Sequence, residues 1–171
     1  MSIALLNPVE PIKVENSILH ARIPLVEGFV LEFHGVTKTQ LPEEGAKLCS
    51  RMVVRKPEDP ETEAPIVELE FGPDRMPPAC LALFRKAIDQ LEEAARILGT
   101  EIDPPRGRKL SMELPVGMGY VIWSRNDGVG VSVDRFLTLQ NRWFKIANDQ
   151  IEDLKIGLVN AHEHFRAESV S

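Results

Sequence analysis

The sequence is poor in the residue types on which many catalytic and metal sites depend. Its 171 residues include two cysteines, four histidines and one tyrosine. Cys49 and Cys80 lie far apart and match no C-x-x-C spacing, so neither a zinc site nor a redox motif is predicted. We expect both cysteines to be free thiols in a reducing compartment, which favours a cytoplasmic location.

Long apolar runs and an excess of positive charge are absent as well. No stretch of about 18 apolar residues occurs, so we expect no transmembrane helix. The first residues, MSIALLNPVEPIK, lack the basic and apolar regions of a signal peptide. The net charge is −6, which disfavours nucleic acid as a partner because phosphate binding requires a broad basic face.

Recognisable catalytic motifs are also missing. No serine stands in a G-x-S-x-G context, and the G-x-G triplets at 117–119 and 128–130 lack the third glycine of a phosphate-binding loop. Neighbouring carboxylates such as Glu68 and Glu70 are typical of a solvated strand face. These gaps favour a protein without a cofactor and argue against an enzyme, and no segment resembles a known family.

The most regular pattern in the sequence is a β-hairpin over residues 17–34. Apolar and polar residues alternate on both sides of Val26-Glu27-Gly28, as in two half-buried strands joined by a short turn. This turn predicts a register in which Ile23 faces Leu31 and Arg22 faces Glu32. The same register sets His20 opposite His34, as a polar patch or a weak metal site.

Further strands and a helix complete an α+β fold. Residues 51–55 and 66–71 read as a second hairpin with an acidic, proline-rich loop between them, and residues 72–100 as a helix. Strands are also predicted within 109–123 and at 129–133, around a turn at residues 125–128. The sequence therefore predicts antiparallel hairpins that pack against one mid-chain helix, in a domain spanning residues 17–133.

The chain ends are expected to lie outside that domain. Residues 1–16, with Pro8 and Pro11, read as an extended arm. Residues 134–166 carry apolar side chains at steps of three or four, which predicts one long C-terminal helix packing on the domain or on a partner chain. Its predicted interface residues are Trp143, Phe144, Ile151, Leu154, Leu158 and Phe165.

The segment VNAHEHFRAE, residues 159–168, holds two of the four histidines. Residues two apart on a helix point away from each other, so His162 and His164 cannot bind the same metal ion. We expect them to flank the buried side of the helix, and no metal site is predicted there. Their alternative role is a pH-sensitive contact with a partner helix, because histidine titrates near neutrality.

A basic and aromatic cluster is the strongest candidate for a binding site. The loop and strands after the mid-chain helix carry exposed-type cations beside aromatic residues, a combination that suits an anionic ligand or an acidic partner segment. The candidate ligand-binding or partner-binding residues are Arg106, Arg108, Lys109, Tyr120, Trp123 and Arg125. The acidic loop Glu58–Glu63 is a possible complement in the same chain or a neighbouring one.

Three functional hypotheses follow. The first is a non-catalytic structural subunit that self-associates through the long helix and the N-terminal arm, as in a phage-like or other symmetric assembly. The second is a protein or enzyme that binds a small anionic ligand at the Arg106–Arg125 region. The third is a monomeric adaptor that binds another protein through the C-terminal helix. Oligomeric mass separates the first from the third.

Overall fold

The computed structural model describes residues 14–39, 46–56, 65–73, 75–98, 108–114, 117–126 and 130–169. It consists of two antiparallel four-stranded sheets and two helices, which confirms the α+β class. The first sheet contains β1 (Val14–Pro24), β2 (Val30–Thr39), β3 (Ala46–Arg55) and β4 (Val67–Phe71), and is followed by α1 (Ala79–Leu98). The second contains β5 (Arg108–Leu114), β6 (Met118–Asn126), β7 (Val131–Leu139) and β8 (Arg142–Ile146), and is followed by α2 (Ile151–Ser169).

The two halves of the chain share one element order, four strands and then a helix, and their helices are exchanged. Helix α1 follows the first sheet but packs against β5 and β6 of the second. Helix α2 follows the second sheet but packs against β1, β2 and β3 of the first, and the two helices also contact each other. The buried side chains of both sheets and both helices form one continuous core. Each half therefore covers the sheet of the other.

The hairpin predicted over residues 17–34 is confirmed, with one irregularity. Ile23 pairs with Leu31, and Arg22 pairs with Glu32. Gly28 has a positive φ of 81°, as a tight turn requires. The register shifts between Leu19 and Ala21, so that Leu19 and not His20 stands opposite His34. The extra residue of this β-bulge is His20, and the predicted His20–His34 pair is therefore wrong.

The mid-chain helix is confirmed over a shorter span, Ala79–Leu98, and it buries an apolar stripe. Leu81, Phe84, Ile88 and Leu91 are buried. Strand β2 continues to Thr39, and strand β3 already begins at Ala46. The first sheet is therefore longer than the hairpins predicted from the sequence.

The long C-terminal helix predicted over residues 134–166 is wrong in its first part. Most of residues 134–146 belong to strands β7 and β8, and the helix begins at Ile151. Between the strands, Gln140 and Asn141 have φ values of 50° and 65°, the left-handed conformations of a type I′ hairpin turn.

Two periodicities compete in this part of the sequence. Phe136, Leu139 and Trp143 follow helical steps of three and four. The side chains that are buried stand at alternate positions within each strand: Leu137 and Leu139 in β7, and Phe144 and Ile146 in β8. Pairing of β7 with both β6 and β8 decides in favour of the strands, because every second side chain then enters the core.

The predicted N-terminal arm lies mostly outside the described residues. Its last residues, from Val14 onward, belong to β1 and pair with β2.

Candidate functional site

Six side chains from all four strands of the second sheet form what we call the aromatic–basic face. It lies on the side of the sheet that faces away from the core. The residues of the aromatic–basic face are Lys109, Trp123, Arg125, Phe136, Trp143 and Lys145. The face exists because alternate residues of each strand, such as Tyr120 and Ile122 of β6, point into the core instead.

Two partly exposed tryptophans dominate this face. The exposed fraction is 39% for Trp123 and 48% for Trp143. The Phe136 ring meets the Trp143 ring edge to face, with 5.5 Å between their centroids. The Lys109 ammonium lies 5.1 Å from the centroid of the Trp143 ring, within cation–π range. Both aromatic rings and the cation are thus held in place before any partner binds.

The charges of the face gather around one carboxylate. Asp134 contacts Arg125 at 2.7 Å and Lys145 at 3.3 Å. Because two cations share one carboxylate, the arrangement retains a positive charge beside the tryptophans. The Arg125 and Lys145 side chains remain 56% and 42% exposed, so both are accessible to an incoming anionic group.

A shallow cavity borders Trp143 at one end of the face. Its volume is about 130 Å³, and it lies beside the paired ends of β5 with β6 and of β7 with β8. Its lining includes Glu113, Leu114, Thr138 and Asn141. It is too small for a drug-sized ligand, which ordinarily occupies a pocket of roughly 300 Å³ or more.

The structure brings together some of the predicted binding residues and separates others. Lys109, Trp123 and Arg125 lie on the aromatic–basic face. Tyr120 points to the opposite side of the sheet and is buried. Arg106 lies outside the described residues, and Arg108 is described only as the first residue of β5.

The predicted interface residues divide in a similar way. Phe144, Ile151, Leu154 and Leu158 are buried in the core of the chain itself, and Phe165 is half-buried against that core. Trp143 alone of this set joins the aromatic–basic face. Phe136 and Lys145 are not among the predicted site residues, because the predicted helix includes residues 134–146. The period-two alternation in 135–146, which matches strands β7 and β8, is the signal that identifies them.

Tyr120 takes part in a partly buried polar cluster between α1 and the second sheet. Its hydroxyl donates a hydrogen bond to Glu92 Oε1 at 2.6 Å, and Arg135 Nη2 donates to Glu92 Oε2 at 2.7 Å. Burial and the neighbouring Glu92 raise the pKa of the Tyr120 hydroxyl far above its ordinary value. Burial alone would raise the pKa of Glu92, but these two hydrogen bonds lower it. The cluster fastens the exchanged helix α1 to its sheet.

The outward face of the first sheet also gathers cations around carboxylates, but it carries no tryptophan. Glu32 is only 5% exposed. It accepts hydrogen bonds from Arg22 at 2.7 Å, Arg55 at 3.0 Å and His34 at 3.1 Å. Burial alone would raise the pKa of the Glu32 carboxyl, but these three donors outweigh burial and lower it.

A second carboxylate, Glu70, organises the rest of that face. It accepts hydrogen bonds from Lys38 at 2.7 Å and Arg51 at 2.8 Å, and these outweigh burial to lower its pKa. A surface cavity of about 800 Å³ lies above this cluster and is also lined by Arg75. Val36 and Val53 are buried beneath the charged side chains. Charged side chains of the same chain thus cover these two valines on the outward face of the first sheet.

Two absences complete the description of the described segments. They contain no cluster of three or more His, Cys, Asp or Glu side chains placed to hold a metal ion. Neither of their helices is long and apolar enough to cross a membrane.

Comparison with known proteins adds no relative. No protein-family model matches the chain, and no curated protein is significantly similar to it.

Proposed function

We propose that this protein is a non-catalytic subunit that self-associates, with the aromatic–basic face of one copy receiving the acidic, proline-containing segment 56–65 of a second copy. The observation that carries this proposal is the exposure of Trp123 and Trp143 beside three cations. The outward face of the first sheet, which has paired charges but no tryptophan, serves as an internal comparison.

The chemistry of the face suits a protein partner. Tryptophan and arginine are enriched among the residues that contribute most of the binding energy at interfaces. Scattered exposed apolar side chains such as Leu83 and Ile156 are ordinary features of a protein surface. Trp123 and Trp143 differ from these because they share one rigid sheet face with Phe136 and with Lys109.

Charge and composition support a second copy as that partner. Segment 56–65 reads KPEDPETEAP and contains four carboxylates and three prolines. Aromatic-lined surfaces bind proline-rich segments, since proline is already restricted to an extended conformation. The carboxylates complement the exposed cations, and such complementarity accelerates association and selects the partner.

This contact would join two different surfaces of the same chain. A head-to-tail contact of this kind generates closed rings or open filaments. Self-association would therefore use the second sheet, and not the apolar face of α2, which is buried within its own chain. The proposal that residues 1–16 also contribute rests on sequence alone.

The proposal is tested by light scattering after size-exclusion chromatography, from micromolar to near-millimolar concentration. We expect the wild-type mass to exceed that of one chain and to rise with concentration. Trp143→Ser should shift this transition to higher concentration. The shift should correspond to a loss of about 2 kcal/mol or more in the free energy of association, the usual cost of truncating a dominant interface residue. Leu83→Ser, which replaces an exposed apolar residue on α1, is the matched control and should change nothing.

A charge exchange tests the identity of the contact. Lys109→Glu with Lys145→Glu in one copy should weaken self-association, as should Glu61→Lys with Glu63→Lys in another. A mixture of the two variants should restore the assembly, because the reversed charges again attract. A wild-type chain that stays monomeric at every concentration would contradict the proposal, and so would a mixture that remains dissociated.

A monomeric adaptor is the second candidate, and the same exposed tryptophans favour it. In that case the wild type stays monomeric, and the aromatic–basic face binds an acidic segment of another protein. A synthetic peptide with the sequence of residues 56–65 serves as the probe. Quenching of Trp123 or Trp143 fluorescence by this peptide, in a chain that stays monomeric, would support the adaptor.

A further inference from the structure

The β-bulge in β1 and the C-terminal half of α2 bring together two histidines that lie far apart in the sequence. The ring centroids of His20 and His164 are 5.4 Å apart, with 59° between the ring planes. Because His20 is the extra residue of the bulge, it does not stand opposite His34 on β2, and its ring lies against α2 instead. Both histidines of this contact are half-buried.

One nitrogen of the His20 ring is enclosed by protein on two sides. A Cβ atom at Gly35 would lie 2.3 Å from His20 Nε2, so this nitrogen rests directly on the backbone of β2. The same Cβ position is 2.9 Å from His164 Nδ1, on the side of α2. His20 Nε2 is inaccessible to solvent and has no hydrogen-bond partner within the part of the chain that the structure describes. A hydrogen on this nitrogen therefore has no acceptor.

This environment favours a neutral ring over a charged one. Neutral histidine carries a hydrogen on one ring nitrogen, whereas the protonated ring carries one on each. Protonation of His20 therefore places a charged N–H group at the buried Nε2, where nothing accepts it, and such a group is costly to bury. Burial, followed by the charges of His164 and His34, accordingly lowers the pKa of the His20 ring.

The titratable groups that face the bulged ring supply no negative charge. Among the described residues they are His164 from α2 and His34 from β2, and both rings become positive when protonated. His34 contacts the Glu32 carboxylate at 3.1 Å, but Glu32 already accepts hydrogen bonds from Arg22 and Arg55. Acid therefore adds positive charge around the bulge without an unoccupied carboxylate to balance it.

The attachment of α2 to the first sheet changes at Ala161. Ala161 is fully buried, and its carbonyl oxygen accepts a hydrogen bond from the Ser50 hydroxyl at 2.8 Å. Residues 162–165 are half-buried or exposed instead. Their contacts with the sheet include His164 Nε2, which lies 3.4 Å from the carbonyl oxygen of Val36, and Phe165, which packs against the edge of the core. The last turns can therefore separate from the sheet while the rest of α2 stays docked.

We propose that protonation of His20 releases the last turns of α2, residues 162–169, from the first sheet. Once α2 has moved away, water can accept the hydrogens of both ring nitrogens. The hydrogen bond from Ser50 to Ala161 limits the separation, because it lies before the released turns. Two helical turns without a docking surface are too short to be stable in water, so the released segment loses its helical order. Histidine clusters act as acid-sensitive switches in this way.

Hydrogen exchange of the full chain at pH 7.5 and pH 5.5 tests this proposal. Protection factors, which correct for the effect of pH on intrinsic exchange, report the local opening. We expect those of residues 162–169 to fall in acid by up to about tenfold, the limit for uptake of one proton by a released ring with the ordinary pKa of 6.5. Unchanged protection would show that the protonated ring is accommodated without release, and would overturn the proposal.

A low concentration of urea separates local release from global unfolding. Urea promotes an opening in proportion to the surface that the opening exposes. Exchange of residues 162–169 should therefore depend little on urea at either pH, because only two turns separate. A strong urea dependence at pH 5.5 would mean that acid acts by unfolding the whole chain, and it would contradict a switch confined to the end of α2.

Variants assign the effect to one ring. His20→Phe keeps an aromatic ring in the bulge but removes the titrating nitrogen, so residues 162–169 should have the same protection at both pH values. His162→Ala, on the same helix, is the matched control and should retain the loss of protection in acid. A His20→Phe variant with the full acid response would assign the response to another group and overturn the proposal.

An NMR titration of the wild type covers a variant that fails to fold. The His20 ring signals should follow its protonation, and the backbone carbon shifts of residues 162–169 should move from helical toward disordered values with the same midpoint. A His20 ring that titrates while those carbon shifts stay helical would overturn the proposal. The switch lies on the first sheet and is independent of the aromatic–basic face.

Discussion

Glu32 is the residue at which burial and charge oppose each other most directly. Its carboxylate is nearly inaccessible on an outward sheet face, and it is stable there because Arg22, Arg55 and His34 all donate to it. A buried charge without partners would be costly. The three donors are therefore a condition for packing Glu32 above the sheet.

Glu32→Gln tests that dependence. We expect the free energy of unfolding to fall by about 1–2 kcal/mol, because the charged hydrogen bonds are lost while the exposed ends of Arg22 and Arg55 can turn to solvent. Urea unfolding at pH 7 measures this loss. Glu93→Gln removes an exposed carboxylate that pairs with Arg96 and should leave the unfolding midpoint unchanged. Equal effects of the two substitutions would contradict this account.

Gly157 is the second residue at which the fold depends on a single position. A Cβ there would lie 2.7 Å from Phe33 Cε2 and 3.4 Å from Ala21 Cβ. Glycine thus allows α2 to approach the first sheet closely.

Gly157→Ala should destabilise the protein by up to about 2 kcal/mol. The gain in helix propensity is about 1 kcal/mol, and crowding of the buried Phe33 ring costs roughly 1–3 kcal/mol. Thermal or urea unfolding shows whether the variant is less stable than the wild type. Gly130→Ala is the control, since nothing lies within 4 Å of a Cβ at that position. A stabilised Gly157→Ala variant would show that α2 sits further from the sheet.

At the scale of elements, the conformation of the turn between β7 and β8 distinguishes the hairpin from the helix that the sequence predicts there. Asn141 has a φ of 65°, a conformation that glycine adopts without strain. In a continuous helix over residues 134–166, glycine at this position would be unfavourable instead.

Asn141→Gly should therefore change the free energy of unfolding in opposite directions in a hairpin and in a helix. In the type I′ turn it should stabilise the protein by about 0.5 kcal/mol, whereas in a helix it would destabilise by a similar amount. Asn141→Val should destabilise, because a β-branched residue resists positive φ. Urea unfolding of both variants checks the prediction. Destabilisation by glycine with tolerance of valine would favour the helix.

At the scale of the whole molecule, the exchanged helices couple the two halves. Helix α2 packs on the first sheet, and both tryptophans lie in the second. One core connects them. Local damage to either half should therefore lower the stability of both, as in a single cooperative transition.

Leu158→Ala tests this coupling. Leu158 is buried in α2, and its truncation should cost about 2–5 kcal/mol through lost contacts and a cavity. Tryptophan fluorescence, which reports on the second sheet, should show the same shifted midpoint as far-UV circular dichroism. A fluorescence midpoint equal to that of the wild type would mean that the halves unfold separately.

The free energy of unfolding should also decrease as the pH is lowered, in two separate pH ranges. His20 has a lowered pKa when folded, so the unfolded chain binds a proton more readily; stability is present above the ordinary value of 6.5 and is lost as pH falls below it. The lowered pKa values of Glu32, Glu70 and Glu92 give stability that is present above 4.5 and is lost as pH falls further.

Urea midpoints from pH 8 to pH 3 measure both ranges. His20→Ala should remove the decline that begins near 6.5, while the decline below 4.5 remains. His162→Ala should preserve both. A His20→Ala variant with the full upper decline would assign that decline to another group.

Elements whose pattern admits a single interpretation are predictable from the sequence alone. The hairpin of residues 17–34 follows from period-two alternation around a short turn, and α1 follows from its apolar stripe. The same alternation places Trp123 and Arg125 on one side of their strand. Each of these features depends on neighbours within a few positions along the chain.

The remaining features depend on contacts between elements that are distant in sequence. Residues 134–146 satisfy both a helical and a strand period, and pairing with β6 was needed to choose between them. The aromatic–basic face combines Trp123 with Trp143 only because β6, β7 and β8 share a sheet. His20 meets His164 because the helices are exchanged and β1 carries a bulge. Contacts between distant parts of the chain create these features, and no local pattern encodes them.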